Sequence, residues 1–186
     1  MYEVKAMRRI GLVCVMALVS GMAVAQAPAA PGPAPVPGPA GEVQRSYAGL
    51  KGNIIKAAEN MPEANYQVKP TPEVRTFARV VNHITEAQLR SCGVANGKAV
   101  ADIGKPPSDT ADKATIVAGL KASFDECDKA YAGVTDANAV EMLTVGQGKR
   151  SRLGLMWGNV SHDNEQYATL ALYMRFKGLV PPSSEK

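Results

Sequence analysis

Apolar residues recur at three- and four-residue spacing in four separate stretches of the chain, the period of amphipathic helices with one inward face. Helix one is expected over 42–60, where Tyr47, Leu50, Ile54, Ala57 and Met61 form the stripe and Pro62 ends it. For helix two, Thr71 offers an N-cap, Pro72 the first helical position and Glu73 an acidic first turn. Phe77, Val80, Ile84 and Ala87 continue its buried face. Helix three is expected over 112–132, with Val117, Leu120, Phe124, Cys127 and Tyr131 on the stripe. Helix four starts near Ser151 and ends at Gly178, with Arg175 and Lys177 in the last turn and Pro181 beyond. Its apolar row is Leu153, Trp157, Val160, Tyr167, Leu170 and Met174, and Trp157 reads as core packing. Alternating β-branched runs are negligible, so the expected fold class is all-α, a four-helix bundle.

Loop length bears on the topology. About 15 residues, 97–111, separate helices two and three. Fully extended they reach roughly 50 Å, against about 33 Å for a 22-residue helix. That connection is able to cross the whole bundle, which permits helices two and three to run parallel in an up-down-down-up order. Cys92 and Cys127 both lie toward the C-terminal ends of their helices and are level only in that arrangement. A Cys92–Cys127 disulfide is therefore expected, the alternative being two buried free thiols.

The ends of the chain have a different character. Lys5, Arg8 and Arg9 precede an apolar run over 10–19, and Ala23-Val24-Ala25 is a small-x-small cleavage site. Residues 1–25 read as a signal peptide, and the run is shorter than the roughly 20 apolar residues of a spanning helix. The mature protein is expected to be exported, periplasmic or secreted, with no stable membrane span after processing. Residues 26–41 are Ala/Pro/Gly-rich and read as a linker, which leaves 42–186 as one domain. The formal net charge is +4. Losing Lys5, Arg8, Arg9 and Glu3 with the leader brings it to +2, a value that does not call for nucleic acid as a partner. The one basic cluster, Lys149, Arg150 and Arg152, sits at the start of helix four, where the helix dipole disfavours cations. It reads as a solvated loop or as an anion site.

The chain has two histidines, His83 and His162, each near the middle of an expected bundle helix. A charged imidazole there is costly unless it is paired or bound to a metal. On helix four, Asn159, His162, Gln166, Thr169 and Tyr173 form a polar row that suits a cavity wall. Side chains at i and i+4 hold one ion when a third ligand comes from a neighbouring helix. His162 and Gln166 have that spacing, and His83 is the natural third.

The segment His162-Asp163-Asn164-Glu165-Gln166-Tyr167, followed by Tyr173-Met174-Arg175-Phe176-Lys177-Gly178-Leu179-Val180-Pro181-Pro182-Ser183-Ser184, resembles the last helix of the DinB/YfiT-like four-helix proteins. Val81-Asn82-His83-Ile84 with Ala87-Gln88 is similar to that family's helix-two histidine segment. The resemblance implies a DinB-like bundle of the metalloenzyme type, with zinc, nickel or iron at His83, His162 and the position of Gln166. The family usually carries His-x-x-x-His on this helix, and Gln166 stands where the second histidine would be. An amide oxygen is a weaker donor to these ions than imidazole. Glu165 and Glu86, each three residues after a histidine, are candidate substitutes or acceptors behind the ligands. The alternative is that both glutamates are solvated and the histidines only hydrogen-bond.

Two functions follow. One is a metal-dependent hydrolase or transferase acting on a small molecule, a homodimer being one expected assembly. The other is a non-catalytic helical domain that binds a small ligand or a partner and carries a degenerate metal site. Thiol-dependent transfer, which the resemblance also implies, suits an exported protein less, because it lacks the reducing cytosolic thiol pool.

Overall fold

The computed structural model describes residues 38–185, and the expected leader and most of the expected linker lie outside that range. Four helices carry the fold: α1 Pro39–Asn60, α2 Phe77–Ala95, α3 Lys113–Ala132 and α4 Arg152–Phe176. Helix α1 begins three residues inside the expected linker, where Asp136 Oδ1 accepts the Ala40 N–H at 2.8 Å and satisfies a first-turn donor.

Two N-cap signals compete ahead of α2, and the later one wins. Thr71 closes only a turn, whereas Thr76 accepts the Arg79 N–H and starts the helix five residues beyond the expected place. The reason is tertiary. The chain before α2 doubles back, so that the Val68 and Tyr66 carbonyls accept the N–H groups of Phe77 and Ala78 at 3.2 and 2.8 Å. The starts of α3 and α4 follow the local signals, with Asp112 accepting from Thr115 and Ser151 from Gly154. Ser151→Ala is expected to lower the unfolding free energy by about 1 kcal/mol in denaturant titration, since it orphans that donor. At the far end of α4, Gly178 takes φ 72°, and the Gly178 and Leu179 N–H groups return to the Arg175 and Met174 carbonyls.

The helix directions are legible in the contacts. Gln88 meets Ser123 and Cys92 meets Cys127, so α2 and α3 advance in parallel. Gln44 reaches Tyr131, and Lys113 reaches Glu59 at the other end, so α1 is antiparallel to α3. Arg152 donates to the Ala95 carbonyl, and Tyr173 donates to that of Arg75, so α4 is antiparallel to α2. The bundle is up-down-down-up. The crossover between α2 and α3 is pinned by Asn82, whose Nδ2 donates to the Pro107 carbonyl at 3.0 Å and to Asp109 Oδ1 at 2.8 Å. Pro107 seats on Gly119, where a Cβ would come within 2.7 Å of its ring.

Between the helices lies a core in which Phe77, Ile84, Leu120, Phe124, Met156, Leu170 and Met174 are fully buried. Trp157 does not join it. The residue is 38% exposed, because Leu155 and Met156 take the inward positions of that turn. A two-stranded hairpin, β1 Met142–Val145 and β2 Gly148–Ser151, also departs from the sequence expectation. Gly146, at φ 61°, occupies the first central position of its two-residue turn, a place that favours glycine. Each strand has four residues and none is buried, so the alternation that reveals a strand has little core to face.

Candidate functional site

Helices α2 and α4 run antiparallel, and their two histidines meet at mid-height. His83 Nε2 and His162 Nε2 are 3.1 Å apart, with the rings edge to face. The Nδ1 atoms on the far sides of both rings are buried and have no hydrogen-bond partner. His83 is held below the usual histidine range, first by burial, then by the charges of Arg75, His162 and Arg79, against which Glu86 works weakly. It is therefore neutral at pH 7, with a lone pair to offer.

Behind His162 stands a group to which sequence reasoning gave no role. Asp163 is 1% exposed, and burial pushes its carboxyl above the ordinary range while its polar neighbours oppose the shift. Its Oδ2 accepts from Gln88 Nε2 at 3.2 Å and from Asn159 Nδ2 at 2.8 Å. Its Oδ1 accepts nothing and faces His162 Nδ1 at 3.6 Å, an electrostatic contact beyond hydrogen-bond range. Ser123 Oγ donates in turn to Gln88 Oε1 at 2.5 Å. A polar chain thus runs from α3 through α2 and α4 to the back of His162. The signal was available in the sequence, since Asn159, Asp163 and Gln166 fall at inward spacing on a helix that otherwise buries apolar residues.

The same chain touches the cysteines. Cys92 and Cys127 are fully buried at disulfide distance, with a Cα–Cα separation of 4.9 Å. Asn159 Oδ1 lies 3.3 Å from Cys92 Sγ. With the sulfur bridged this is a contact and not a hydrogen bond, because a disulfide has no proton to donate.

In front of the histidines opens a cleft of about 500 Å³. Its walls include His83, His162, Asn159, Glu86 and three arginines, Arg79, Arg90 and Arg150. Glu86 Oε2 is 3.2 Å from Arg79 and 3.8 Å from His83 Nδ1. The other expected site residues are elsewhere. Gln166, Glu165, Thr169 and Tyr173 line a separate cavity of about 500 Å³ with Arg75 and Glu73. The polar row of α4 therefore divides, Asn159 and His162 facing one cavity and Gln166, Thr169 and Tyr173 another.

The spacing of the pair suits a divalent ion. Imidazole nitrogens about 2.1 Å from one ion and separated as these are subtend roughly 100° at it, close to a tetrahedral or octahedral angle. Two adjacent positions therefore fit. Among the described residues no three His, Cys, Asp or Glu side chains form a metal-holding group.

Comparison with known proteins agrees with the fold. The family model described as the DinB superfamily matches residues 50–170. A DinB-like protein from Bacillus cereus ATCC 10987 is similar in structure with a TM-score of 0.61 and 16% identity, over 75% of this chain and 93% of its own. A second DinB-like protein, from Bacillus subtilis, gives 0.60 and 14%, over 74% and 92%. No curated protein matches the chain significantly.

Proposed function

The chain belongs to the DinB superfamily, and from that premise and its converging histidines we propose that it is an exported protein binding a divalent metal ion through His83 and His162. The observation that carries this reading is the 3.1 Å approach of two Nε2 atoms at the wall of an open cleft. Zinc, nickel or iron are the expected ions, by the imidazole chemistry of the ligands. A bound ion would act there as a Lewis acid toward a small substrate, in hydrolysis or group transfer.

The chain's own residues prepare the site. Burial and neighbouring cations keep His83 neutral, as a ligand must be. Asp163 Oδ1 faces His162 Nδ1, and its electrostatic pull favours the tautomer that leaves Nε2 free on the cleft side. Gln88 and Asn159 hold Asp163 in place. The expected leader and the buried cysteine pair at disulfide distance support export to an oxidising compartment.

A second reading, a non-catalytic domain whose cleft takes a small ligand, is favoured by the separate cavity in which Gln166 sits. Elemental analysis of untagged residues 26–186 separates the two. Stoichiometric metal in the wild type, lost in His83→Ala and in His162→Ala, is the expected result. Wild type without metal after incubation with zinc, nickel and iron would retire the metal reading. Gln166→His is expected to leave metal affinity unchanged in chelator competition, because position 166 lines the other cavity. Tighter binding in that variant would show that position 166 reaches the ion after all.

A further inference from the structure

The walls of the histidine cleft carry three arginines, Arg79, Arg90 and Arg150. Arg79, His83 and Arg90 lie on one stripe of α2, at spacings of four and seven residues. Arg79 is engaged by Glu86 at 3.2 Å and approaches Asp109 at 3.7 Å. Among the described residues, neither Arg90 nor Arg150 has an acidic partner.

Both guanidinium groups are steered to one end of the cleft. Arg150 leaves β2 and lies against Gly158, where an added Cβ would fall 2.7 Å from Nη1 and 2.8 Å from Nη2. Its Nη2 donates to the Gly154 carbonyl at 2.8 Å. Gly158 precedes His162 by one helical turn, about 6 Å along the axis and on the same face. From the opposite wall, Arg90 extends to the hairpin turn, with Nη2 3.6 Å from the Cβ position of Gly146. Because α2 and α4 are antiparallel, both arginines stand on the same side of the histidine pair. Arg150 is also beside the N-terminal end of α4, where the helix dipole disfavours a cation. An anion at this end of the cleft would relieve that repulsion.

We propose that Arg90 and Arg150 form an oxyanion subsite, so that the ligand of the histidine cleft is a small molecule bearing a carboxylate or phosphate about one helical turn from its reacting end. Guanidinium groups recognise both oxyanions by paired N–H donors, and their planar fork suits either. A second cavity, of about 620 Å³, shares Arg79, Glu86 and Arg90 with the first and adds Lys105 from the crossover. The ligand therefore has room to extend past Arg90 toward a further cation. The subsite rests on the histidine cleft being the binding site, but it does not require the ion.

The test is calorimetric titration of metal-free residues 26–186 at low salt with inorganic phosphate, with succinate and with neutral succinamide. Saturable binding of phosphate or succinate, and none of succinamide, is expected, and the stronger of the two names the oxyanion. Each arginine removed should weaken binding about tenfold, so Arg90→Gln with Arg150→Gln should lose about 100-fold. Gly158→Ala keeps the arginine but displaces its guanidinium from α4, and it improves helix propensity, so it should weaken binding without unfolding the bundle. Metal content is measured on the same preparations. A wild type that binds metal but neither anion overturns the subsite alone, and one that binds anions but no metal overturns only the metal reading. Anion binding unchanged in the double variant and in Gly158→Ala is surface adsorption and also overturns the subsite.

Discussion

Loss of the Cys92–Cys127 bridge is expected to lower the unfolding free energy by about 4 kcal/mol. The cysteines are 35 residues apart, and cross-linking a loop of that length removes about this much chain entropy from the unfolded state by the loop-closure estimate. For a domain of this size the shift amounts to about 10 °C in Tm. The loop closed includes the crossover, the least regular connection in the fold, and the bridge ties its two flanking parallel helices directly. Paired urea titrations of the oxidised protein and of Cys92→Ala with Cys127→Ala measure the difference, and alanine avoids a buried hydroxyl. Thiol titration of the unfolded, non-reduced protein is the check on the premise. Two free thiols would return the cysteines to the class of buried apolar side chains, and reductant would then leave the transition where it was.

Asp163→Asn should weaken metal binding by about 10- to 100-fold while leaving the bundle folded. The amide keeps one oxygen to accept from Gln88 and Asn159, so the polar chain survives. It replaces the oxygen that faces His162 Nδ1 with an NH₂ group. An imidazole met by a donor accepts at Nδ1 and carries its proton on Nε2, the atom that has to bind the ion. Chelator competition gives the affinity, and nitrogen NMR of His162 gives the tautomer. Full affinity with the proton still on Nδ1 would show that Asp163 does not direct the ring. A pH signature accompanies the change. Burial raises the carboxyl above its ordinary value of 3.8, so the folded state holds this proton more tightly than the unfolded state does. Its contribution to stability is then fully present below 3.8 and declines as pH rises through the folded-state value. The asparagine variant lacks that decline, and its stability relative to wild type should improve as pH rises from about 4 toward neutrality.

Much of the fold was legible because its determinants are local or topological. Asp112 and Ser151 start helices, and Gly178 ends one, where short-range hydrogen bonding alone places them. The parallel order of α2 and α3 was expected from the reach of the crossover, the level of two cysteines and the family resemblance together. The start of α2 was less legible, because Thr71 and Thr76 are equivalent caps until the preceding loop folds back on Phe77 and Ala78. At the site the two histidines were apparent from their rarity and their mid-helix positions. The division of the α4 polar row was not, since spacing tells which residues share a face but not where a neighbouring helix splits it. Asp163 was overlooked for a related reason. A carboxylate beside a histidine on a helix is ordinarily solvated, so the inward spacing of Asp163 is easily passed over, and Gln88 and Asn159 supply the donors that hold it there.

The Asn159 oxygen resting on Cys92 Sγ ties the oxidation state of the cysteines to the ligand chemistry of the histidines. Bridged, the sulfur offers that oxygen nothing, whereas as a thiol it becomes a donor and the amide that steadies Asp163 gains a partner. Linkage is reciprocal, so whatever the reduced pair does to occupancy of the histidine site, occupancy does to the reduction potential of the pair. A protein built in this way would sense the redox poise of its surroundings through the same side chains that prepare its ligand site.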